Sequence, residues 1–142
     1  MYNYTKLECL SKLENESMVR YMVSMFIAKV NPTIDEMTEV KTMLSEAMIN
    51  AMIHGYDQKE DGTIFIEFIL KETTLTMIIE DHGVGIEDIS QAKVPLYTTK
   101  PELERSGMGM TIMETLSDEF KIESQIGKGT KIMMTKHFRG HQ

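Results

Sequence analysis

The chain has 142 residues, enough for one domain with one core, and its 42% apolar and 26% charged residues are typical of a globular protein rather than a disordered chain. A net charge of −7 argues against nucleic acid as a direct partner, because binding to phosphate backbones requires a clustered basic surface. Cys9 is the only cysteine, which excludes an intrachain disulfide, and no apolar stretch is long enough to cross a bilayer, so we expect one cytoplasmic domain over residues 1–142 with no membrane contact.

The first third of the chain predicts a strand followed by two helices. Residues 2–10 alternate loosely and indicate an edge strand, and residues 14–30 show apolar positions at helical spacing. After the break at Asn31-Pro32, Thr33 followed by Glu36 predicts a capping box. A long helix is expected from there to about His54, with Gly55 as its stop signal.

The rest of the chain predicts strands interrupted by one long loop and one short helix. The predicted elements are strands at 64–70 and 75–79 joined by a hairpin, a helix from Gly107 to about Asp118, and strands at 120–125 and 130–138. Residues 86–106 show no clear periodicity, and a loop of that length is typical of either a functional lid or a disordered segment. This order of elements predicts a helical layer on one face of a mainly antiparallel sheet.

A polar stripe runs along the second predicted helix. Glu46, Asn50 and His54 follow one another at intervals of four residues, so an α-helix would place them on one face. A carboxylate and an amide oxygen on one ridge can order a water, a hydroxyl or Mg²⁺. A simple solvated polar face is the alternative interpretation, and the role of His54 stays open.

The segment DHGVG follows the second strand of the predicted hairpin. Asp81 could accept a hydrogen bond from an amino group such as that of adenine, and Gly83 and Gly85 would let the backbone approach a flat ligand closely. An ordinary strand-to-loop turn also favours Asp and Gly, so the segment alone does not decide between the two.

A second glycine pair, Gly107 and Gly109, precedes the short predicted helix. Glycines at a helix start expose backbone N–H groups to an anion, and Lys100 and Arg105 add positive charge nearby. The pattern is neither a Walker sequence nor a dinucleotide-binding fingerprint.

The chain resembles the GHKL ATPases over nearly its whole length, because its motifs follow the order typical of that superfamily. This order is E-x-x-x-N on a helix, D-x-G-x-G after a strand, a lid, and G-x-G at a helix start. Within that superfamily, the segments 95–119, 45–56 and 14–17, the last followed by Arg20, are similar to anti-sigma factors of spore-forming bacteria. The resemblance implies a Bergerat-type ATP-binding fold. This is an α/β fold, an α+β two-layer sandwich, in which a mixed, mainly antiparallel sheet carries helices on one face.

The resemblance also implies roles for individual residues. Glu46 would be the general base, Asn50 would hold Mg²⁺, and Asp81 would read the adenine amino group beside Gly83 and Gly85. The remaining implied nucleotide contacts are the lid residues Thr98, Thr99, Lys100, Arg105 and Ser106 within about 94–106, the phosphate-binding turn Gly107, Met108, Gly109 and Met110, and Thr130 in the late G-x-G-T segment.

Arg20 is similar to a residue on the partner-binding surface of the family. The implied activity is binding of a sigma factor, together with phosphorylation of a serine on an anti-anti-sigma factor using ATP and Mg²⁺, with release of ADP, by a homodimer. Three alternatives stay open: a general-stress anti-sigma serine kinase, the catalytic domain of a sensor histidine kinase, and a nucleotide-dependent binding module without kinase activity.

Overall fold

The computed structural model describes residues 1–87, 89 and 108–139, and in this part of the chain five strands and three α-helices form two layers. None of the helices in these ranges is long and apolar enough to span a membrane. The elements, in chain order, are β1 (Tyr2–Leu10), α1 (Leu13–Phe26), α2 (Ile34–Asn50), β2 (Thr63–Lys71), β3 (Thr74–Asp81), α3 (Gly109–Leu116), β4 (Glu119–Gln125) and β5 (Gly129–His137).

The strands form one sheet in the order β1-β2-β3-β5-β4. All four pairings among the described strands are antiparallel, which confirms the mainly antiparallel prediction; the parallel component of a mixed sheet is not seen in the described part. β1 lies at one edge, as predicted, and β3 is central. Asp81, the last residue of β3, is therefore flanked by β2 on one side and by Thr130 of β5 on the other.

One face of the sheet is covered by the helices. β2 alternates strictly between buried and half-buried residues, as expected for a strand with one covered face, and the ring of Phe68 lies 5.7 Å from that of Phe26 on α1. The covered face and the helices supply the fully buried large side chains, which are Ile27, Met43, Leu44, Met48, Ile64, Ile66, Phe68, Leu70, Leu75, Met77, Ile79 and Met113.

The start of α2 is fixed by the predicted capping box. The backbone N–H of Glu36 donates to Thr33 Oγ1 at 3.0 Å, and Glu36 Oε1 accepts from the backbone N–H of Thr33 at 2.9 Å. Glu36 Oε2 also accepts from the backbone N–H of Arg139 at 3.1 Å. One buried carboxylate thus holds the C-terminal segment against the start of the helix that carries Glu46.

The end of α2 departs from a regular helix. Residues Ala51–Gly55 form one π-helical turn, in which the backbone N–H of Tyr56 donates to the carbonyl of Ala51 at 2.9 Å. The predicted stop at Gly55 is confirmed, but the wider turn shifts His54 out of the α-helical phase that aligns Glu46 with Asn50. Single π turns inside helices are frequent at functional sites.

Candidate nucleotide site

Asp81 is the buried acidic group of the candidate site. Its side chain ends β3 with only 3% of the residue exposed, and its Oδ1 accepts from the backbone N–H of Gly83 at 2.9 Å. Burial raises the pKa of Asp81 to about 6, although the backbone amides of Gly83 and Thr130 favour the carboxylate. A buried carboxylate with spare acceptor capacity suits a ligand amino group.

Close contacts between glycines bring the end of α2 against the loop that follows Asp81. A Cβ on Gly55 would lie 2.7 Å from the Asp81 carboxylate, and a Cβ on Gly83 would lie 1.9 Å from the Gly55 carbonyl oxygen. The same carbonyl accepts from the backbone N–H of Val84 at 3.0 Å. Any side chain at Gly55 or Gly83 would therefore separate Asp81 from the helix that carries Glu46 and Asn50.

The turn between β4 and β5 lies against the other side of this loop. Gly129 has φ +120°, and a Cβ there would lie 2.0 Å from the Asp81 carbonyl oxygen. Gly85 has φ +82°, a value that favours glycine, and a Cβ there would lie 2.3 Å from the Gln125 carbonyl oxygen. Gly83 and Gly85 therefore allow close approach between protein segments, and their predicted approach to a flat ligand stays a prediction.

Ser124 and Thr130 connect the same turn to the loop by side-chain hydrogen bonds. Ser124 Oγ accepts from the backbone N–H of Ile86 at 2.7 Å and lies 2.8 Å from Thr130 Oγ1. Thr130 is 4% exposed. It is the direct cross-strand partner of Asp81, and its predicted contact with a nucleotide stays a prediction.

Glu46 and Asn50 lie one helical turn apart on α2, and both are half-buried. The π turn that follows Asn50 ends at Gly55, in contact with Asp81, so the two residues precede the Asp81 contact along one continuous helical segment. One amide oxygen fits Mg²⁺, because this ion usually keeps several waters and takes one or two protein oxygens together with substrate phosphates.

α3 begins at Gly109, and the preceding Met108 provides no side-chain cap to its first turn. Backbone N–H groups at such a helix start are available to an anion. Met110 is only 7% exposed and belongs to the hydrophobic core. If Met110 meets a phosphate, the contact comes from its backbone and not from its side chain. The predicted contacts Thr98, Thr99, Lys100, Arg105, Ser106 and Gly107 lie outside the described residues.

A polar cleft of about 240 Å³ between α1 and α2 connects Arg20 with Glu46. Beneath it, the carboxylate of Glu16 accepts from Arg20 Nε at 2.6 Å and from Ser45 Oγ at 2.8 Å, and Glu16 is only 8% exposed. The cleft is lined by Arg20, Thr38, Lys41, Thr42, Ser45 and Glu46. The predicted partner-binding residue and the predicted base therefore share one surface depression.

Several residues of the site are not predicted from the sequence. Gly55, predicted only as a helix stop, lies against the Asp81 carboxylate. Gly129 belongs to the predicted G-x-G-T segment without a role of its own there, and it lies against the Asp81 carbonyl. Ser124 and Glu16 act through long-range hydrogen bonds. The G-x-G-T segment and the segment 14–17 already pointed to the surroundings of Gly129 and Glu16, and Gly55 directly follows the predicted polar stripe. Nothing in the sequence pattern distinguishes Ser124 from an ordinary polar residue.

Comparison with known proteins agrees with this geometry. A model of the family described as "Histidine kinase-like ATPase domain" matches residues 9–136. The chain is 50% identical over 137 residues to a protein named anti-sigma F factor from Clostridium novyi (strain NT), with 96% of each chain covered. It is 52% identical over 136 residues to an anti-sigma F factor of Clostridium kluyveri, with 96% of this chain and 95% of the relative covered.

Among solved structures, the chain is similar to the crystal structure of the RsbU and RsbW domains of Rv1364c from Mycobacterium tuberculosis. The TM-score is 0.69 at 16% identity, and the match covers 96% of this chain and 32% of that one. At this identity the similarity concerns the fold, a two-layer sheet-and-helix arrangement of the Bergerat type.

Proposed function

The chain belongs to the anti-sigma F factor family, which is built on a histidine kinase-like ATPase domain. We propose that it inhibits a sporulation RNA polymerase sigma factor. We also propose that it phosphorylates a serine of an anti-anti-sigma protein using Mg-ATP. The observation that carries the kinase part is the contact between the buried Asp81 pocket and the end of the helix bearing Glu46 and Asn50. This contact supports the proposal because the proposed base-recognition group lies against the end of the same helical segment that carries the proposed groups for chemistry.

In the proposed complex, the Asp81 carboxylate accepts a hydrogen bond from the adenine amino group. The phosphates extend toward the start of α3, whose N–H groups stabilise negative charge. Asn50 is the side chain that would hold Mg²⁺, and the ion would supply charge neutralisation between phosphate oxygens. Residues 94–106 are proposed as the lid, which slower trypsin cleavage at Lys100 in the presence of ATP would support.

Phosphoryl transfer is proposed to use Glu46 as the general base. The carboxylate of Glu46 takes the proton of the substrate serine hydroxyl while the serine oxygen bonds to the γ-phosphorus. The bond from that phosphorus to the β–γ bridging oxygen breaks, and ADP leaves. Such a reaction depends mainly on positioning and charge stabilisation, so a carboxylate held on a rigid helix is a sufficient protein contribution.

Transfer of labelled phosphate from ATP to a candidate partner tests the proposed activity. With purified protein and the anti-anti-sigma protein encoded in the same genome, we expect acid-stable label on serine. Label on histidine would instead indicate a histidine kinase, and absence of label with retained nucleotide binding would indicate a binding module. Label on the antagonist of a general-stress sigma factor would assign the chain to that second regulatory system.

Arg20 is proposed to bind the sigma factor in the cytoplasm, from its position on α1 beside the cleft. We expect Arg20→Ala to weaken sigma binding by at least about tenfold, the equivalent of one charge-assisted hydrogen bond, and to leave ADP affinity unchanged. Pull-down titration and calorimetry on the same preparation measure the two affinities. Unchanged sigma binding would contradict the assignment.

A second variant separates a lost contact from a disturbed helix. Arg20→Ala removes one partner of the buried Glu16 carboxylate, and breaking a buried ion pair is itself destabilising. The double variant Glu16→Gln/Arg20→Ala removes that buried charge, and glutamine can still accept from Ser45. Sigma binding should be equally weak in both variants if Arg20 contacts the sigma factor. Recovery of binding in the double variant would mean that Arg20→Ala had weakened binding by disturbing α1.

A homodimer is proposed from the sheet face that the described helices leave uncovered. By strand alternation this face carries Tyr4, Ile69, Ile78 and Met133, and Tyr4 and Ile69 are direct cross-strand partners. The same face also carries the ion pair of Lys6 and Glu67, so the proposed interface would combine apolar and charged contacts. Sedimentation should give about twice the 16.3 kDa chain mass, and Ile69→Glu should shift it to the monomer; a folded, still dimeric Ile69→Glu variant would reject this face.

A further inference from the structure

Tyr56 links three parts of the molecule through one hydroxyl group. This hydroxyl accepts from the backbone N–H of His82 at 2.7 Å and donates to the backbone carbonyl of Thr63 at the start of β2. Burial raises the pKa of Tyr56, which keeps the hydroxyl protonated and able to donate. His82 lies between Asp81 and Gly83, so the bond from Tyr56 holds the backbone at the centre of the candidate adenine pocket.

The position of the Tyr56 ring is itself fixed from two sides. The π turn at the end of α2 sets the direction of Tyr56, because the Tyr56 N–H bonds to the Ala51 carbonyl. The ring lies flat against Gly62, where a Cβ would come within 2.5 Å of it. These two contacts hold the Tyr56 ring in one position, from which its hydroxyl can fix the loop.

We propose that Tyr56 is a positioning residue for adenine recognition, whose hydroxyl holds the 81–83 backbone so that the Asp81 carboxylate meets the 6-amino group of the base. This inference rests on the proposed reading of adenine by Asp81. Without the hydroxyl, the His82 N–H loses its partner. Asp81 stays paired in the sheet with Ile64 and Thr130, and the residues after it keep the Gly83 and Val84 N–H bonds. A hydrogen bond that reads one amino group depends strongly on such alignment.

The test compares ADP with purine riboside 5′-diphosphate, which lacks the 6-amino group, by calorimetry on the wild type and on Tyr56→Phe. Phenylalanine keeps the ring on Gly62 and removes only the hydroxyl. In the wild type we expect ADP to bind on the order of tenfold more tightly than the purine analogue, from one buried hydrogen bond. In Tyr56→Phe we expect this preference to fall by at least about threefold, while the analogue keeps most of its affinity.

Two further variants check the interpretation. Gly62→Ala should reproduce the reduced preference, because its methyl group displaces the Tyr56 ring while the tyrosine stays. Tyr2→Phe, at an exposed position on β1, is the matched control and should behave as the wild type. A merely structural role for Tyr56 would lower both affinities by the same factor and leave their ratio unchanged.

The outcomes distinguish this inference from the function on which it rests. If the wild type binds both nucleotides equally, the reading of adenine by Asp81 is wrong, and the role of Tyr56 is wrong with it. If the wild type prefers ADP and Tyr56→Phe keeps the full preference, only the positioning role is overturned. A reduced ratio in both Tyr56→Phe and Gly62→Ala supports it.

Discussion

Replacement of Glu46 by glutamine is expected to lower serine phosphorylation by at least about 10²–10⁴-fold, the contribution of general-base catalysis, with little change in ADP or sigma affinity. Glutamine has nearly the same shape as glutamate and keeps a hydrogen-bonding oxygen, so the half-buried position on α2 should be preserved. It cannot take up the proton of the substrate hydroxyl. Single-turnover transfer of labelled phosphate measures the chemical step directly.

The matched control is Glu123→Gln, which removes one carboxylate at an exposed position on β4. It should leave all three measurements unchanged, since isolated surface substitutions usually stay within about 0.5 kcal/mol. Asn50→Ala should differ from both by weakening Mg-ATP binding as well as transfer. Normal phosphorylation by Glu46→Gln would mean that the Glu46 face of α2 is only a solvated surface, and the protein would then be a nucleotide-dependent binding module.

Much of the fold could be predicted because its signals are local. The capping box depends on two residues three positions apart, and β2 alternates between a covered and an uncovered face. The burial of Asp81 is different, because the DHGVG segment also fits an ordinary strand-to-loop turn and did not by itself predict a buried carboxylate.

The π turn could not be predicted, because the residues of Ala51–Gly55 also fit an ordinary helix. The π turn occurs where Gly55 contacts Asp81 and Gly83, which are distant from it in the sequence. The role of Tyr56 could not be predicted for the same reason, because its partners Thr63 and His82 lie at the start of β2 and directly after β3. Contacts of this kind depend on the register of the sheet, which a single sequence does not specify.

Met110 shows a different limit of the sequence interpretation. A glycine pair at a helix start predicts phosphate binding through backbone N–H groups, and that logic does not determine where side chains point. In the structure α3 buries Met110 and Met113 in the core. One short helix thus serves packing with its side chains and offers only its N-terminal backbone to an anion.

The second large effect is expected for Asp81→Asn, which should weaken ADP binding at pH 7.5 by on the order of 10- to 100-fold. The asparagine amide would turn a hydrogen-bond donor toward the adenine amino group, and the charge-assisted acceptor would be lost. The wild type should also prefer ATP to GTP, since guanine presents a carbonyl where adenine presents its amino group. Equal ATP and GTP affinities would contradict the assignment. Asp35→Asn, at an exposed position on α2, is the control.

The pH dependence of binding gives an independent check on Asp81. Its pKa in the nucleotide-free protein is about 6, so the carboxylate is mostly ionised at pH 7.5 and mostly protonated at pH 5. ADP affinity of the wild type should therefore fall as the pH drops below about 6, because protonation removes the charged acceptor. Asp81→Asn should lack this step, and a step of equal size in both proteins would assign it to another group.

Asp81 should also cost the nucleotide-free protein stability at neutral pH. Its pKa rises from 3.8 to about 6 on folding, so between these values the native state binds more protons than the unfolded state. The contribution of Asp81 to the free energy of unfolding is thus fully present below about pH 4 and is lost as the pH rises through about 6. For a pKa shift of this size, the loss is at most about 3 kcal/mol. Denaturant titrations from pH 4 to pH 8 should show the stability of Asp81→Asn rising relative to that of the wild type over this window. A constant difference across the window would mean that Asp81 ionises without a burial cost, and the pocket would then be more open to water than its 3% exposure indicates.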